Sequence, residues 1–342
     1  MSLWPIHPQP YPDELLSSWL VRTAHANGLK VQTFCHLEFD QRYEVWNRDI
    51  DRLAPDWLLH TIQAKTGLSR QKILNTTLLA YQRKLYDKYR TSGQLPWITT
   101  LQIYHRKRRG HGLQFCPQCL ANDDEPYFRK SWRTALHTFC PEHMILMHDR
   151  CPACGEGVAF YRQELRKPNE FQFNSLNICW QCQFDLSKAD VQKVDVWDKQ
   201  VFNDWHNVLL NLSDTPIPIV QEMRDQLKIT HHFMTVLFSP RLAPKLQAYL
   251  CAQTGQNHQE IRKNESRTSW ESHSVIDRHH MLRLCWWLMG DYPNRLLSAW
   301  RDKAIRYNHM LKDFKNPPAQ YKKILKQLNR NTNSTLYQLR KL

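Results

Sequence analysis

Eight residues have the types and spacing of metal ligands: Cys116 and Cys119, Cys140 and His143, Cys151 and Cys154, Cys179 and Cys182. Two residues separate the members of each pair, so one tight turn can aim both at a single ion. Four such ligands close a tetrahedral shell, and eight close two, one Cys₃His and one Cys₄. In three pairs a proline follows the first cysteine (Pro117, Pro141, Pro152), which suits a tight turn. Pairing in sequence order gives 116/119/140/143 and 151/154/179/182. A cross-braced arrangement gives 116/119/151/154 and 140/143/179/182. The sequential one closes shorter loops and costs less entropy. The expected cofactor is two zinc ions in structural roles, because both shells are full and a catalytic zinc keeps a position open for water. Cys35, Cys251 and Cys285 stand apart among apolar residues and read as core thiols.

No other pattern points to catalysis. There is no Walker loop, no H-E-x-x-H, no H-x-E…P-C-x-x-C and no G-x-S-x-G, and no spacing of acidic residues singles out a metal-binding trio. No catalytic residue is assigned, and a non-enzymatic protein is expected. A zinc-dependent nuclease is the weakest of the alternatives.

The elements that position these ligands read as mainly α. The chain has 342 residues, of which only 9 are Gly, a composition suited to long helices. Three regions are expected: a helical domain with a helix-turn-helix (1–112), a tandem zinc-ribbon region (113–190) and a basic helical domain (191–342). The first helix opens at Pro12, with Asp13 and Glu14 placed to complement its dipole, and stops at Asn27-Gly28. Asp56 to Gln82 reads as helix, turn, helix. Leu58, Leu59 and Ile62 face inward, Gly67 ends the first arm, and Ser69 caps a second arm reaching about Leu79. Helices follow with Val196, Val201, Trp205, Val208, Leu209 and Leu212 aligned, then around 234–238, 244–254 and 274–289. Asn294 to Phe314 reads as one amphipathic helix whose core stripe is Leu297, Trp300, Ala304, Tyr307, Leu311 and Phe314. A basic helix at about 319–329 precedes a polar tail.

Charge narrows the partner class. The net charge is +15. Residues 82–109 hold eight basic and one acidic side chain, and residues 301–342 hold eleven basic and two acidic, while the rest is close to neutral. Such blocks are the footprint expected for nucleic acid or a nucleoprotein. The candidate contacts are Arg106, Lys107, Arg108, Arg109, Lys322, Lys323, Lys326 and Arg330. No run of 18 apolar residues and no signal-peptide pattern occurs, so a cytoplasmic protein that does not cross a membrane is expected.

One further set of residues carries a resemblance. Pro10, the run Asp13-Glu14-Leu15-Leu16-Ser17-Ser18-Trp19, Arg22 and Asn27-Gly28 come first. Phe115 to Leu120, Tyr127 to Trp132-Arg133, Cys140 to His143, Leu146, and Cys151 to Gly155 follow. Over roughly 10–186 the chain resembles the TniQ/TnsD family of transposon target-selection proteins, and it is nearer the short TniQ type. The resemblance implies a non-enzymatic adaptor that joins a target-recognition device to an AAA+ ATPase regulator of the transposase. In one branch the protein docks, often as a homodimer, on a Cascade-type CRISPR complex for RNA-guided DNA integration. In the other, TnsD-like branch it reads an attachment site in duplex DNA itself, here with a helix from Ser69 to Leu79 or a C-terminal helix in the major groove.

Overall fold

The computed structural model describes residues 2–39, 45–101, 110–111, 113–165, 173, 175–212, 221–239, 244–259, 269–311 and 313–328. Two compact units form, one from Met1–Val194, Leu209–Pro216 and Glu271–Val275, the other from Asp195–Val208, Ile217–Trp270 and Ile276–Leu342. Among the described residues the chain is mainly helical and has no sheet, only isolated bridges such as Phe115 with His148 and Phe139 with Leu146.

In the first unit, α1 (Leu16–Ala26) buries Leu16, Trp19, Leu20 and Ala24. It stops where its sequence directs. Gly28 takes φ +68°, its N–H donates to His25 O, and the Leu29 N–H reaches back to Ala24 O at 3.1 Å. This is a Schellman closure, which needs a left-handed residue at the glycine position. The start of α1 departs from expectation. Leu15 is the N-cap and no acidic side chain lies in the first turn. Asp13 and Glu14 are instead buried ahead of it.

Next come α2 (Val31–Glu38) and α3 (Ile50–Leu53). The hairpin of α4 (Asp56–Thr66) and α5 (Arg70–Leu74) follows. Leu58, Leu59 and Ile62 are buried, Gly67 closes α4 at φ +70°, and the Ser69 side chain accepts the Lys72 N–H. The second arm stops at Leu74, well short of Leu79. Its C-terminal carbonyls are claimed by other donors. Thr76 Oγ1 donates to Ile73 O and Thr77 Oγ1 to Leu74 O, both at 2.7 Å. Lys130 Nζ donates to Asn75 O at 2.6 Å, and the Leu16 N–H to Thr76 O at 2.9 Å. Hydroxyls that bond back to the backbone compete with helix propagation, and here they win. The chain continues as a 3₁₀ turn over Leu78–Tyr81.

In the second unit, the part of α7 (Lys199–Leu212) up to Val208 contributes Trp205, whose ring lies 5.3 Å from that of His279 and 6.3 Å from that of Trp286. Val196 precedes the helix and is exposed. The other aligned residues, Val201, Val208, Leu209 and Leu212, are buried. The remaining helices are α8 (Gln221–Leu237), α9 (Pro244–Thr254) and α10 (Val275–Gly290). The expected single helix from Asn294 to Phe314 is split into α11 (Asn294–Arg301) and α12 (Tyr307–Leu311). Lys303 takes φ +60°, and the Ala304 N–H bonds to Ala299 O at 2.9 Å, a second Schellman closure. The buried residues are therefore Leu296, Ala299, Ala304, Ile305 and Met310, while Leu311 is 41% exposed. Residues 319–328 form the last described helix, which buries Tyr321, Ile324, Leu325 and Leu328.

Candidate metal centres and the frame around them

The eight spaced residues gather into two clusters, Cys116 with Cys119, Cys140 and His143, and Cys151 with Cys154, Cys179 and Cys182. These are the groupings expected from pairing in sequence order. In the first cluster Cys119 Sγ lies 3.6 Å from Cys140 Sγ, and His143 Nδ1 lies 3.6, 3.3 and 3.5 Å from Cys116, Cys119 and Cys140. In the second, Cys151 and Cys182 are 3.6 Å apart and Cys154 and Cys179 3.8 Å. A tetrahedron with Zn–S bonds of ~2.3 Å and Zn–N bonds of ~2.0 Å has edges of about 3.8 Å (S to S) and about 3.5 Å (S to N). The donor sets therefore fit zinc in both element and size. Within the first cluster, hydrogen bonds to Cys116 and Cys140 push the Cys119 thiol up, and those to Cys116 and Cys119 hold Cys140 down. Donors this crowded cannot all ionise by themselves, and a divalent cation bound among them would supply the missing positive charge.

Three half-sites share one turn. The N–H of Cys140 bonds to Ile145 O, that of Cys151 to Glu156 O, and that of Cys179 to Phe184 O, each at 2.8 Å. The residue after the second ligand must then turn left-handed, and Met144 (φ +55°), Gly155 (φ +74°) and Gln183 (φ +64°) do so. Only one of these is glycine, so the other two carry steric strain. The Cys116 half-site is built differently. Cys116 caps α6 (Pro117–Asn122), and its sulfur accepts the Cys119 N–H at 3.4 Å. The Asn122 side-chain amide lies 3.0 Å from His143 Nε2. Metal on Nδ1 leaves the proton on Nε2, where the carboxamide oxygen of Asn122, turned to the ring, would accept it.

The residues between the first two half-sites are tied to the start of α1. The Leu15 N–H donates to Phe128 O at 2.9 Å, the Phe128 N–H to Ser18 Oγ at 3.0 Å, and the Ser131 N–H to Asp13 Oδ2 at 3.1 Å. Glu14 faces Arg22 at 3.3 Å and accepts from Ser18 Oγ and the Tyr11 N–H, each at 2.9 Å. Burial pushes its carboxyl up to about 7 against the pull of Arg22. Arg22 lies over the Tyr11 ring, Tyr11 stacks on Tyr127 at 4.8 Å, and Arg129 covers Tyr127 and pairs with Asp123.

Arg133, 0% exposed, reaches Asp49 Oδ2 at 2.6 Å and Asp51 Oδ2 at 3.3 Å. Asp51 in turn accepts from the Ser17 N–H at 2.7 Å and Ser17 Oγ at 2.8 Å. The runs Asp13 to Trp19, Arg22 and Trp132-Arg133 are thus a buried frame that seats the first metal cluster on α1. Sequence reasoning did not find Asp49, Asp51 or Asn122, whose partners lie far away in sequence.

The basic candidates divide. Lys322, Lys323 and Lys326 lie exposed on the helix at 319–328, opposite its buried Tyr321 and Leu325. Arg106, Lys107, Arg108, Arg109 and Arg330 lie outside the described residues. The remaining thiols, Cys35, Cys251 and Cys285, are buried, and burial pushes Cys35 up to about 12. Among the described residues no helix is long and apolar enough to cross a membrane.

Residues 5–147 match the TniQ family model, a span that runs from the N-terminal segment through the first metal cluster. No curated protein matches the chain. The span encloses the buried frame of Glu14, Arg22, Asp51 and Arg133, and over it the chain is similar to the TniQ family.

Proposed function

We propose that the chain is a non-enzymatic adaptor for transposition. It links a target-recognising nucleoprotein, of the Cascade CRISPR type, to the AAA+ ATPase that regulates the transposase. The match to TniQ over residues 5–147 carries this reading. Glu14, Arg22 and Arg133 of the motif support it, because they are spent on ion pairs in the interior. Each Cys/His cluster holds one structural zinc, and metal binding supplies folding energy to a region whose described residues form no sheet.

The exposed Lys322, Lys323 and Lys326 meet phosphates of the nucleoprotein, together with the basic block at 106–109. A TnsD-like reader of duplex DNA is the second reading. It finds no support at Arg70–Leu74, since five residues make about one and a half turns, too short to present a row of side chains along a major groove. The test titrates the zinc-loaded chain with the AAA+ ATPase and with the guide complex encoded beside it. Binding to both is expected. Affinity for neither ends the proposal, and selective binding to one duplex over random duplex by about 10³-fold favours the second reading.

A further inference from the structure

The second unit contains a cavity of ≈ 560 Å³ on the side of α9 and α10, lined by Asp195, Trp197, the turn 254–259, His280 and Arg283. Its lining is unusual for the polar atoms that it leaves without partners. Trp197 Nε1, both side-chain polar atoms of Gln256, His280 Nε2 and Arg283 Nε are buried, and none makes a hydrogen bond. Buried polar groups are nearly always satisfied, and several orphans around one cavity mark a place where a ligand completes them.

The walls are held by other contacts. Arg283 lies 4.4 Å above the Trp197 ring and donates to Asp195 Oδ2 at 2.9 Å. The Gln256 N–H bonds to Cys251 O, Gln247 Nε2 to Gln259 O, and Gln259 Nε2 to Asp277 Oδ1, which fixes the turn against α9 and α10. The orphaned atoms are therefore presented by a fixed wall.

The chemistry of the lining selects its ligand. Trp197 Nε1 and Arg283 Nε can only donate, and the Gln256 carbonyl can only accept. Burial, aided by Arg283 and His258, lowers His280 to about 4, so its ring is neutral near pH 7. The one cation in the lining is already paired with Asp195, which disfavours a phosphate or a carboxylate. What fits is a neutral planar group with a carbonyl beside an N–H. We infer that this cavity binds a carboxamide, offered by a neutral, Gln- or Asn-bearing peptide segment of a protein partner. The volume exceeds a single side chain, so flanking main-chain amides enter with it.

The test follows the indole ¹⁵N–¹H signals of the full-length, zinc-loaded protein, with the Trp197 peak assigned from Trp197→Phe. The probes are Ac-Gly-Gln-Gly-NH₂, Ac-Gly-Glu-Gly-NH₂, uridine and inorganic phosphate. The glutamine peptide is expected to shift the Trp197 peak saturably at millimolar concentration, with the glutamate peptide at least tenfold weaker. Gln256→Leu, in the turn 254–259, should abolish the shift and leave the remaining indole peaks in place. A stronger response to uridine or to phosphate overturns the assignment, as does a glutamine-peptide shift that survives Gln256→Leu, or no shift at all.

Discussion

Removing Arg133 should damage the first unit more than removing any exposed charge. Its guanidinium is wholly buried and forks onto Asp49 at 3.1 and 2.6 Å, reaches Asp51 at 3.3 Å and donates to Thr99 O at 3.2 Å. Arg133→Ala leaves two buried carboxylates facing each other. Even with Arg133 present, burial and the Asp49 charge already push Asp51 up to about 6. Taking one partner from such a network costs about 3–5 kcal/mol, a large part of the ~5–15 kcal/mol that holds a typical domain folded. Arg133→Lys keeps the charge but loses the fork, and should lose on the order of 1.5–3 kcal/mol.

The assay is urea unfolding of the zinc-loaded protein, read by far-ultraviolet circular dichroism and tryptophan fluorescence. The pH dependence supplies a second signature. A carboxyl raised in the fold contributes stability below its unfolded value of 3.8 and loses it as pH rises through about 6. The deficit of Arg133→Ala should therefore shrink as pH is lowered from 7 toward about 6. An Arg133→Ala protein within about 1 kcal/mol of the parent, or a deficit that grows on mild acidification, would refute the reasoning.

Other outcomes follow from the same geometry. Cys119→Ser and Cys179→Ser should each lose one of two zinc equivalents by elemental analysis, and a fully metallated variant would overturn the ligand assignment. Asn122→Ala should weaken zinc about tenfold or more in competition with a chromophoric chelator while stoichiometry stays intact. In the second unit burial holds His232 at about 4 and His279 at about 3, below the ordinary 6.5. Neutral burial adds stability above about pH 6.5 that fades as pH falls toward 4, at up to ~1.4 kcal/mol per pH unit for each ring, and hydrogen exchange across α8 and α10 should show it. Lys303→Gly should raise the thermal midpoint, because Lys303 sits exposed at φ +60°, and relief of that strain is worth about 0.5–1 kcal/mol.

Local chemistry was readable in the sequence where it is sufficient by itself. The four Cys and His pairs, the glycine stops after α1 and α4 and the Ser69 cap each depend on residues within one turn; the glycines and the serine act as read, and the pairs gather into two clusters that could hold metal. What escaped depends on distant partners. Asp13 and Glu14 look like helix-start charges until Arg22 and the backbone near Lys130 claim them. The arm after Ser69 is periodic enough for a longer helix, yet Lys130 and Leu16 take its last carbonyls. The stripe from Leu297 to Phe314 has helical spacing, and no glycine or proline announces the left-handed turn at Lys303. Arg133 is just one more basic residue until Asp49 and Asp51, more than 80 positions earlier, close around it.

The proposed coupling of a target-recognising nucleoprotein to the transposition machinery is tested by purifying the tagged chain from cells that carry its neighbouring genes and sequencing the nucleic acid that comes with it. A discrete population of short guide RNAs is expected, lost when the basic blocks are neutralised. A single enriched duplex without RNA, or no nucleic acid at all, would contradict it.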